Sequence, residues 1–198
     1  MTVCDSVPIA LVRHGETDWN LDRRIQGRTD IPLNETGRQQ AREISQILAA
    51  HGSWRGVRAS PLGRASETAQ IIAAGLKLDA PAVDERFWER DFGEAEGLAV
   101  SDAQQRWPGL DSIPGAESLE DLRARTATAL LQVLIDAPGT IVVAHGAMLR
   151  AGMAHATGAE VPRVLNGEVW LMYPSGGKAR LERLAAPASA IVATAAQR

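Results

Sequence analysis

Three separate segments of the sequence carry side chains that could act together on a phosphoryl group. We call the residues at the ends of these segments the polar ends, and they are Arg13, His14, Arg64, His145 and Gly146. Each polar end follows a candidate strand, either directly or after a turn. Neutral imidazole, with an ordinary pKa of about 6.5, can attack phosphorus near neutral pH without a metal ion. Guanidinium groups neutralise and orient phosphoryl oxygens. We therefore interpret His14 as a candidate nucleophile and the two arginines and His145 as candidate phosphate ligands.

These polar ends lie where alternating strands and helices would bring them together. Apolar runs predict strands at about 9–12 and 140–144, and further strand candidates lie at about 57–60, 82–84, 169–173 and 179–184. Capping residues and helical spacing predict the main helices at about 34–51, 61–75, 117–138 and 147–157. This alternation predicts an α/β fold, a three-layer sandwich whose mostly parallel central sheet has helices on both faces. In such sheets ligands bind beyond the carboxyl ends of the strands.

The chain as a whole is predicted to form one domain over residues 1–198. Within it, the segment 87–115 contains Gly and Pro and is expected to form a lid-like excursion over the site, with a short helix before Trp107. The Ala-rich segment 185–198 is expected to be a tail, either loose or a short terminal helix.

Three sequence motifs together resemble those of the histidine phosphatase superfamily, also called the phosphoglycerate mutase-like family. They read Leu-Val-Arg-His-Gly-Glu-Thr at 11–17, Ser-Pro-Leu-Gly-Arg-Ala at 60–65 and Val-Val-Ala-His-Gly at 142–146. The resemblance implies a phosphoglycerate mutase-like fold and a phosphohistidine formed on His14. It also implies that Asn20 and Gly146 contact phosphate and that Gln26 lines the site. From the residues alone, Asn20 could instead cap a turn, and Gln26 could be a solvated loop residue.

The resemblance further implies an acid that supplies a proton to the leaving group. The matching segment reads Trp-Glu-Arg-Asp-Phe-Gly-Glu-Ala-Glu-Gly at 88–97, and the matching residue is Glu89. The same side chain could then accept a proton from the water that hydrolyses phospho-His14. Neighbouring acids remain alternatives for this role: Glu85, Asp91, Glu94 and Glu96. Ser60 is interpreted as a packing residue, because no Gly-x-Ser-x-Gly surrounds it.

The composition limits the partners that we expect. The formal net charge is -3, from 21 basic and 24 acidic residues, which argues against nucleic acid or a membrane surface as partner. The single cysteine excludes a cysteine-built zinc site, and no nucleotide-binding Gly-rich motif appears, so we expect neither a metal nor a cofactor. Residues 1–6 do not resemble a secretory signal, and the chain is expected to be cytoplasmic. A homodimer through an edge strand is possible.

These observations favour one function over two alternatives. The favoured function is hydrolysis of a small phosphorylated substrate by a phosphoric monoester hydrolase of the histidine acid phosphatase type. The first alternative is a phosphotransferase similar to the cofactor-dependent phosphoglycerate mutases. Those mutases typically present a Tyr, then Gly-Leu-Asn-Lys and paired arginines, where this chain has Phe92 and Gly-Leu-Ala-Val at 97–100. The second alternative is a non-catalytic protein that binds phosphorylated ligands.

Overall fold

A six-stranded sheet forms the centre of the computed structural model, which describes residues 7–184. The strands are β1 (Ile9–Arg13), β2 (Gly56–Ala59), β3 (Ala82–Val83), β4 (Thr140–Ala144), β5 (Val169–Ser175) and β6 (Lys178–Arg183). Their order across the sheet is β3-β2-β4-β1-β5-β6. The first four in this order are parallel to one another, whereas β5 pairs antiparallel with β1, and β6 pairs antiparallel with β5. The sheet is therefore mixed, with a parallel part that contains all the strands preceding the candidate site residues.

Six α-helices accompany the sheet within residues 7–184. They are α1 (Asp18–Leu21), α2 (Glu35–His51), α3 (Gly63–Leu76), α4 (Val100–Arg106), α5 (Leu119–Asp136) and α6 (Gly146–Thr157). Side-chain caps define the starts of α2 and α5: Asn34 accepts the Gly37 N–H before α2, and Ser118 accepts the Asp121 N–H before α5. Helix α3 begins two residues later than predicted, because residues 60–62 form a turn in which the Leu62 N–H donates to a side-chain oxygen.

Helices cover both faces of the sheet, as the α/β sandwich predicted. Successive β1 side chains point to opposite faces. Ile9 and Leu11 belong to the core formed with α5 and α6, whereas Ala10 and Val12 belong to the core formed with α2 and α3. All four side chains are fully buried. Because β1 is buried on both faces, the residues that follow it are held at a fixed edge of the sheet.

The segment 87–115 packs against the loop that follows α1 and forms a third, smaller hydrophobic core. The buried members of this core are Ile25, Phe92, Ala95, Ala103 and Ile113. Two backbone hydrogen bonds join the partners, since the N–H of Ile25 donates to the carbonyl of Leu98 and the N–H of Gly97 donates to the carbonyl of Ile25. The short helix predicted before Trp107 is α4. The tail predicted at 185–198 lies outside the described residues.

Candidate active site

The predicted meeting of the three polar ends is observed at one edge of the sheet. His14 directly follows β1 and His145 directly follows β4, and these two strands are neighbours. The His14 N–H donates to the Ala144 carbonyl at 3.0 Å, so the two strand ends are in register. The imidazole ring centroids of His14 and His145 lie 5.2 Å apart. Arg64 reaches the same edge from the first turn of α3, which follows the neighbouring strand β2.

His14 presents an unprotonated nitrogen to this site. Its Nδ1 lies 2.7 Å from the Gly15 carbonyl, an acceptor, so Nδ1 carries the ring proton. Its Nε2 lies 3.3 Å from Nε of Arg64, which donates to the ring lone pair. Burial, followed by the charges of Arg64 and Arg13, holds the pKa of His14 well below its ordinary value. The imidazole is therefore neutral at neutral pH.

Arg64 is almost fully buried and links the nucleophile to a loop after α1. Its two terminal nitrogens donate to the carbonyls of Thr29 at 2.8 Å and Gly27 at 2.7 Å. The carboxylate of Asp30 lies 3.8 Å away. Burial lowers the pKa of Arg64. With both terminal nitrogens anchored, the guanidinium has a fixed orientation beside His14.

Arg13 approaches the start of α6 closely. One terminal nitrogen donates to the Val164 carbonyl at 2.8 Å, while its buried Nε has no hydrogen-bond partner within residues 7–184. An ideal Cβ at Gly146 would lie 3.2 Å from this Nε, so a side chain at position 146 would crowd the guanidinium. Burial, followed by the charge of Arg163, lowers the pKa of Arg13 to about 10. Arg13 thus remains a cation with a donor available to a ligand.

His145 is fully buried and contacts a residue that the sequence interpretation assigned to packing. Its Nε2 lies 2.7 Å from Oγ of Ser60, and its Nδ1 has no hydrogen-bond partner in the described part of the chain. Burial, followed by the charge of Arg64, holds the pKa of His145 well below its ordinary value. The packing interpretation of Ser60 was incomplete. The available signal was its place in the same short segment as Arg64.

The carboxylate of Glu89 lies at the amino end of α6. Its Oε1 accepts the N–H groups of Met148 at 2.8 Å and Arg90 at 2.9 Å. Its Oε2 accepts the N–H of Ala147 at 3.1 Å. Glu89 is buried, and its charge acts on both Arg13 and Arg64. Among the acids of its segment, Glu89 is thus the one hydrogen-bonded to this helix end.

Glu96, one of the alternative acids, holds the loop that anchors Arg64. Its Oε1 accepts the N–H groups of Arg28 at 2.8 Å and Phe92 at 3.2 Å. Its Oε2 accepts the N–H of Thr29 at 2.9 Å. Glu96 therefore joins the segment 87–115 to the loop whose carbonyls bind Arg64. Its carboxylate serves as a clamp, a role that the sequence did not reveal.

Asn20 and Gln26 occupy different surroundings. The Oδ1 of Asn20 accepts the Thr17 N–H at 3.2 Å and an N–H of Asn166 at 2.9 Å. The first of these hydrogen bonds is the capping contact that the sequence offered as an alternative role for Asn20. The same Asn166 nitrogen donates to the carbonyl of His14 at 3.1 Å, so Asn20 lies beside the nucleophile. A contact between Asn20 and phosphate would have to use its amide nitrogen. The solvated alternative for Gln26 was wrong, because this side chain is buried.

Two further observations concern metals and membranes. Among residues 7–184, no group of three or more His, Cys, Asp or Glu side chains is arranged to hold a metal ion. None of the helices in that range is long and apolar enough to cross a membrane. The expectations of no metal, no cofactor, a cytoplasmic location and a possible homodimer remain predictions.

Comparison with known proteins identifies the family. The model of the histidine phosphatase superfamily (branch 1) matches residues 9–185, and the chain belongs to this superfamily. It is 43% identical over 155 residues to the "Uncharacterized phosphatase PhoE" of Bacillus subtilis (strain 168), covering 77% of this chain and 78% of that protein. It is 34% identical over 203 residues to "Phosphoglycerate mutase-like protein 4" of Arabidopsis thaliana, covering 90% and 88%.

A solved structure has the same fold. The mycobacterial glucosyl-3-phosphoglycerate phosphatase, in complex with VO3, matches with a TM-score of 0.78 and 26% sequence identity. The match covers 89% of this chain and 98% of that chain. Together with the family match, this confirms the resemblance and the fold inferred from the sequence motifs. The relatives include proteins named as phosphatases and as mutase-like proteins.

Proposed function

We propose that this protein is a phosphoric monoester hydrolase of the histidine acid phosphatase type. It hydrolyses a small phosphorylated metabolite through a phosphohistidine intermediate on His14, with Glu89 as general acid and base. The observation that carries the proposal is the state of His14. Its Nδ1 is bonded to the Gly15 carbonyl, which leaves the Nε2 lone pair directed at the guanidinium of Arg64. A neutral nitrogen nucleophile beside a fixed cation suits attack on a phosphate dianion.

In the first step, phosphoryl oxygens bind to donors that converge on this edge. These donors are the Nε of Arg13, the guanidinium of Arg64, the Nδ1 of His145, the amide of Asn20 and the N–H of Gly146, with Gln26 lining the site. Nε2 of His14 gives up the hydrogen bond from Nε of Arg64 and forms a bond to phosphorus while the ester P–O bond breaks. The ring then becomes positively charged, and the Gly15 carbonyl that accepts its Nδ1–H stabilises this charge.

When the phosphate dianion binds, Glu89 is in its acid form, and it supplies the proton that the leaving oxygen needs. A carboxylate has about four lone-pair directions, two on each oxygen. Two N–H groups occupy those of Oε1 and one occupies Oε2. One direction on Oε2 is left for a proton. We infer that Oε2 of Glu89 is the atom that transfers the proton to the departing alkoxide.

In the second step, water attacks phosphorus on phospho-His14. The ionised Oε2 of Glu89 accepts a proton from this water, the N–P bond breaks, and inorganic phosphate leaves the regenerated neutral His14. The same donors stabilise the charge of both transition states, because the phosphoryl oxygens keep their positions. The cycle consumes one water and requires no external acid or base.

The phosphotransferase alternative is supported by the relative named as mutase-like. A mutase must retain a second anionic group while its phosphates exchange, which requires additional cations near the substrate. The segment Gly-Leu-Ala-Val at 97–100 carries none and is bonded through its backbone to residues 23 and 25. This difference favours hydrolysis, and the non-catalytic alternative ranks last because every chemical group that the reaction needs is present in the chain.

Purified protein assayed with EDTA on a panel of phosphomonoesters tests the proposal. We expect sustained release of phosphate and a base-stable, acid-labile phosphoryl label on the protein. His14→Ala should abolish both, whereas His51→Ala, which changes an exposed histidine at the end of α2, should change neither. Near-normal hydrolysis by His14→Ala would overturn the proposal. Activity restricted to 3-phosphoglycerate isomerisation with a bisphosphate primer would favour the mutase alternative, and binding without turnover the non-catalytic one.

A further inference from the structure

Ser60 and His145 form a buried hydrogen-bonded pair. Both residues are fully buried, and Oγ of Ser60 lies 2.7 Å from Nε2 of His145. The backbone of Ser60 is fixed, since its N–H donates to the Val143 carbonyl at 3.0 Å. Its Oγ also accepts the N–H of Leu62 at 3.4 Å. The serine hydroxyl is therefore held on both sides.

The direction of this hydrogen bond follows from counting donors and acceptors. A hydroxyl has one hydrogen to donate. The described residues offer the Ser60 hydroxyl hydrogen no acceptor other than Nε2 of His145. If Nε2 carried the ring proton, it would donate to Oγ, and the hydroxyl hydrogen would be left without an acceptor in a fully buried site, at substantial cost. The favourable arrangement has the hydroxyl donating to an unprotonated Nε2.

A neutral imidazole whose Nε2 accepts must carry its proton on Nδ1. Nδ1 of His145 is buried and has no hydrogen-bond partner in the described part of the chain. The ring lies 5.2 Å from that of His14, centroid to centroid. An unsatisfied N–H this close to the nucleophile is a suitable donor to a phosphoryl oxygen. The opposite tautomer would present a lone pair to that oxygen and repel it.

We propose that Ser60 is a positioning residue that holds His145 in the Nδ1–H tautomer, so that a neutral imidazole donates a hydrogen bond to the transferring phosphoryl group. The effect on catalysis rests on the proposed function, whereas the tautomer of His145 is a property of the protein without a ligand. Ser60 acts only through His145 and does not touch the substrate. The neutral His145 then orients the phosphoryl group through a hydrogen bond, while Arg13 and Arg64 supply the positive charge.

The tautomer can be measured directly by 15N NMR of histidine-labelled wild-type protein. His145→Gln identifies the resonances of this ring among the four histidines of the chain. We expect a protonated, pyrrole-type signal from Nδ1 and an unprotonated, pyridine-type signal from Nε2. A protonated Nε2 in the wild-type protein would overturn the inference. Because this measurement needs no turnover, its outcome is independent of whether the protein hydrolyses phosphoesters.

Ser60→Ala tests the consequence, with Ser60→Thr as the variant that keeps the hydroxyl. In Ser60→Ala we expect protonation to move to Nε2, wholly or in part. Vanadate affinity and kcat/KM should each fall on the order of tenfold, the effect of one hydrogen bond. Ser60→Thr should retain the wild-type tautomer and recover most of the activity. An unchanged tautomer and unchanged kcat/KM in folded Ser60→Ala, checked by thermal unfolding, would refute the positioning role.

Discussion

The carboxylate of Glu89 is hydrogen-bonded to the backbone N–H of Met148, 59 residues further along the chain, at 2.8 Å. The same helix, α6, begins at Gly146, whose backbone lies against the guanidinium of Arg13. One rigid turn of helix therefore sets the position of the proposed acid relative to a proposed phosphate ligand. This relationship explains how a residue in an irregular segment can be placed accurately at the site.

Replacing Glu89 with Gln should slow the hydrolysis of esters with poor leaving groups much more than that of esters with good leaving groups. The variant lacks a transferable proton, so esters with alkoxide leaving groups should lose on the order of a hundredfold or more in rate. p-Nitrophenyl phosphate should lose less, because its leaving group needs little protonation. A plot of log kcat/KM against leaving-group pKa measures the effect. Equal losses across the series would argue against Glu89 as the acid.

Acid should destabilise the fold through the two buried histidines. Burial lowers the pKa values of His14 and His145 in the folded state, whereas in the unfolded chain they are near 6.5. As pH falls below about 6.5, the unfolded state binds protons that the folded state does not. The free energy of unfolding should then fall by up to about 1.4 kcal/mol per pH unit for each histidine. Above that pH, these two histidines make no contribution to the pH dependence of the free energy of unfolding.

Carboxylates also respond to acid, so the histidine contribution requires a comparison of variants. His14→Asn should show a shallower loss of stability than the wild type between about pH 6.5 and pH 5. His51→Asn removes an exposed histidine and should keep the wild-type slope. Urea unfolding over this range provides the measurement. If the slopes of wild type and His14→Asn coincide, the nucleophile is not held neutral by burial.

Glu96→Ala should weaken substrate binding without removing any proposed catalytic group. The variant releases the N–H groups of Arg28 and Thr29 and so loosens the loop whose carbonyls orient Arg64. We expect KM, and the dissociation constant for vanadate, to rise several-fold with a smaller change in kcat. Glu94→Ala is the matched control, since Glu94 is an exposed acid of the same segment. Similar kinetics for both variants would contradict the clamp.

Gly15→Ala should destabilise the protein strongly. A Cβ at this position would lie 2.3 Å from the carbonyl oxygen of Gly37, a backbone atom that cannot move independently of α2. Overpacking of this kind costs about 1–3 kcal/mol. Gly56→Ala is the control, because its Cβ would meet nothing within 4 Å, and its stability should stay within about 0.5 kcal/mol of wild type. If Gly15→Ala and the wild type unfold at the same urea concentration, the contact between the new Cβ and the Gly37 carbonyl relaxes without cost.

Much of the fold followed from local patterns. The buried strands β1 and β4 were predicted from apolar runs, and α2 and α5 from helical spacing and capping residues; the structure shows that the caps are Asn34 and Ser118. The end of β2 was predicted one residue too late: the N–H of Ser60 still bonds to the Val143 carbonyl of β4, but the chain then turns away instead of continuing along the sheet. Local composition does not distinguish these two outcomes.

The sequence by itself determined the family and the central chemical groups of the candidate site. Arg13, His14 and His145 each end or follow a buried parallel strand, and the ends of such strands meet at one sheet edge by topology alone. Their convergence therefore needs no detailed packing. The identity of each group is also carried by a short contiguous motif, which a single sequence displays in full.

Only the tertiary structure decided how these groups are oriented. Asn166 bonds to the His14 carbonyl across 152 positions, Glu96 reaches the loop after α1, and the Ser60 hydroxyl meets His145. Each contact joins segments with no shared motif, and its distance depends on how separate elements pack. A hydrogen bond changes from strong to absent within about 1 Å. Sequence patterns fix which elements approach one another, but not their separation at that precision.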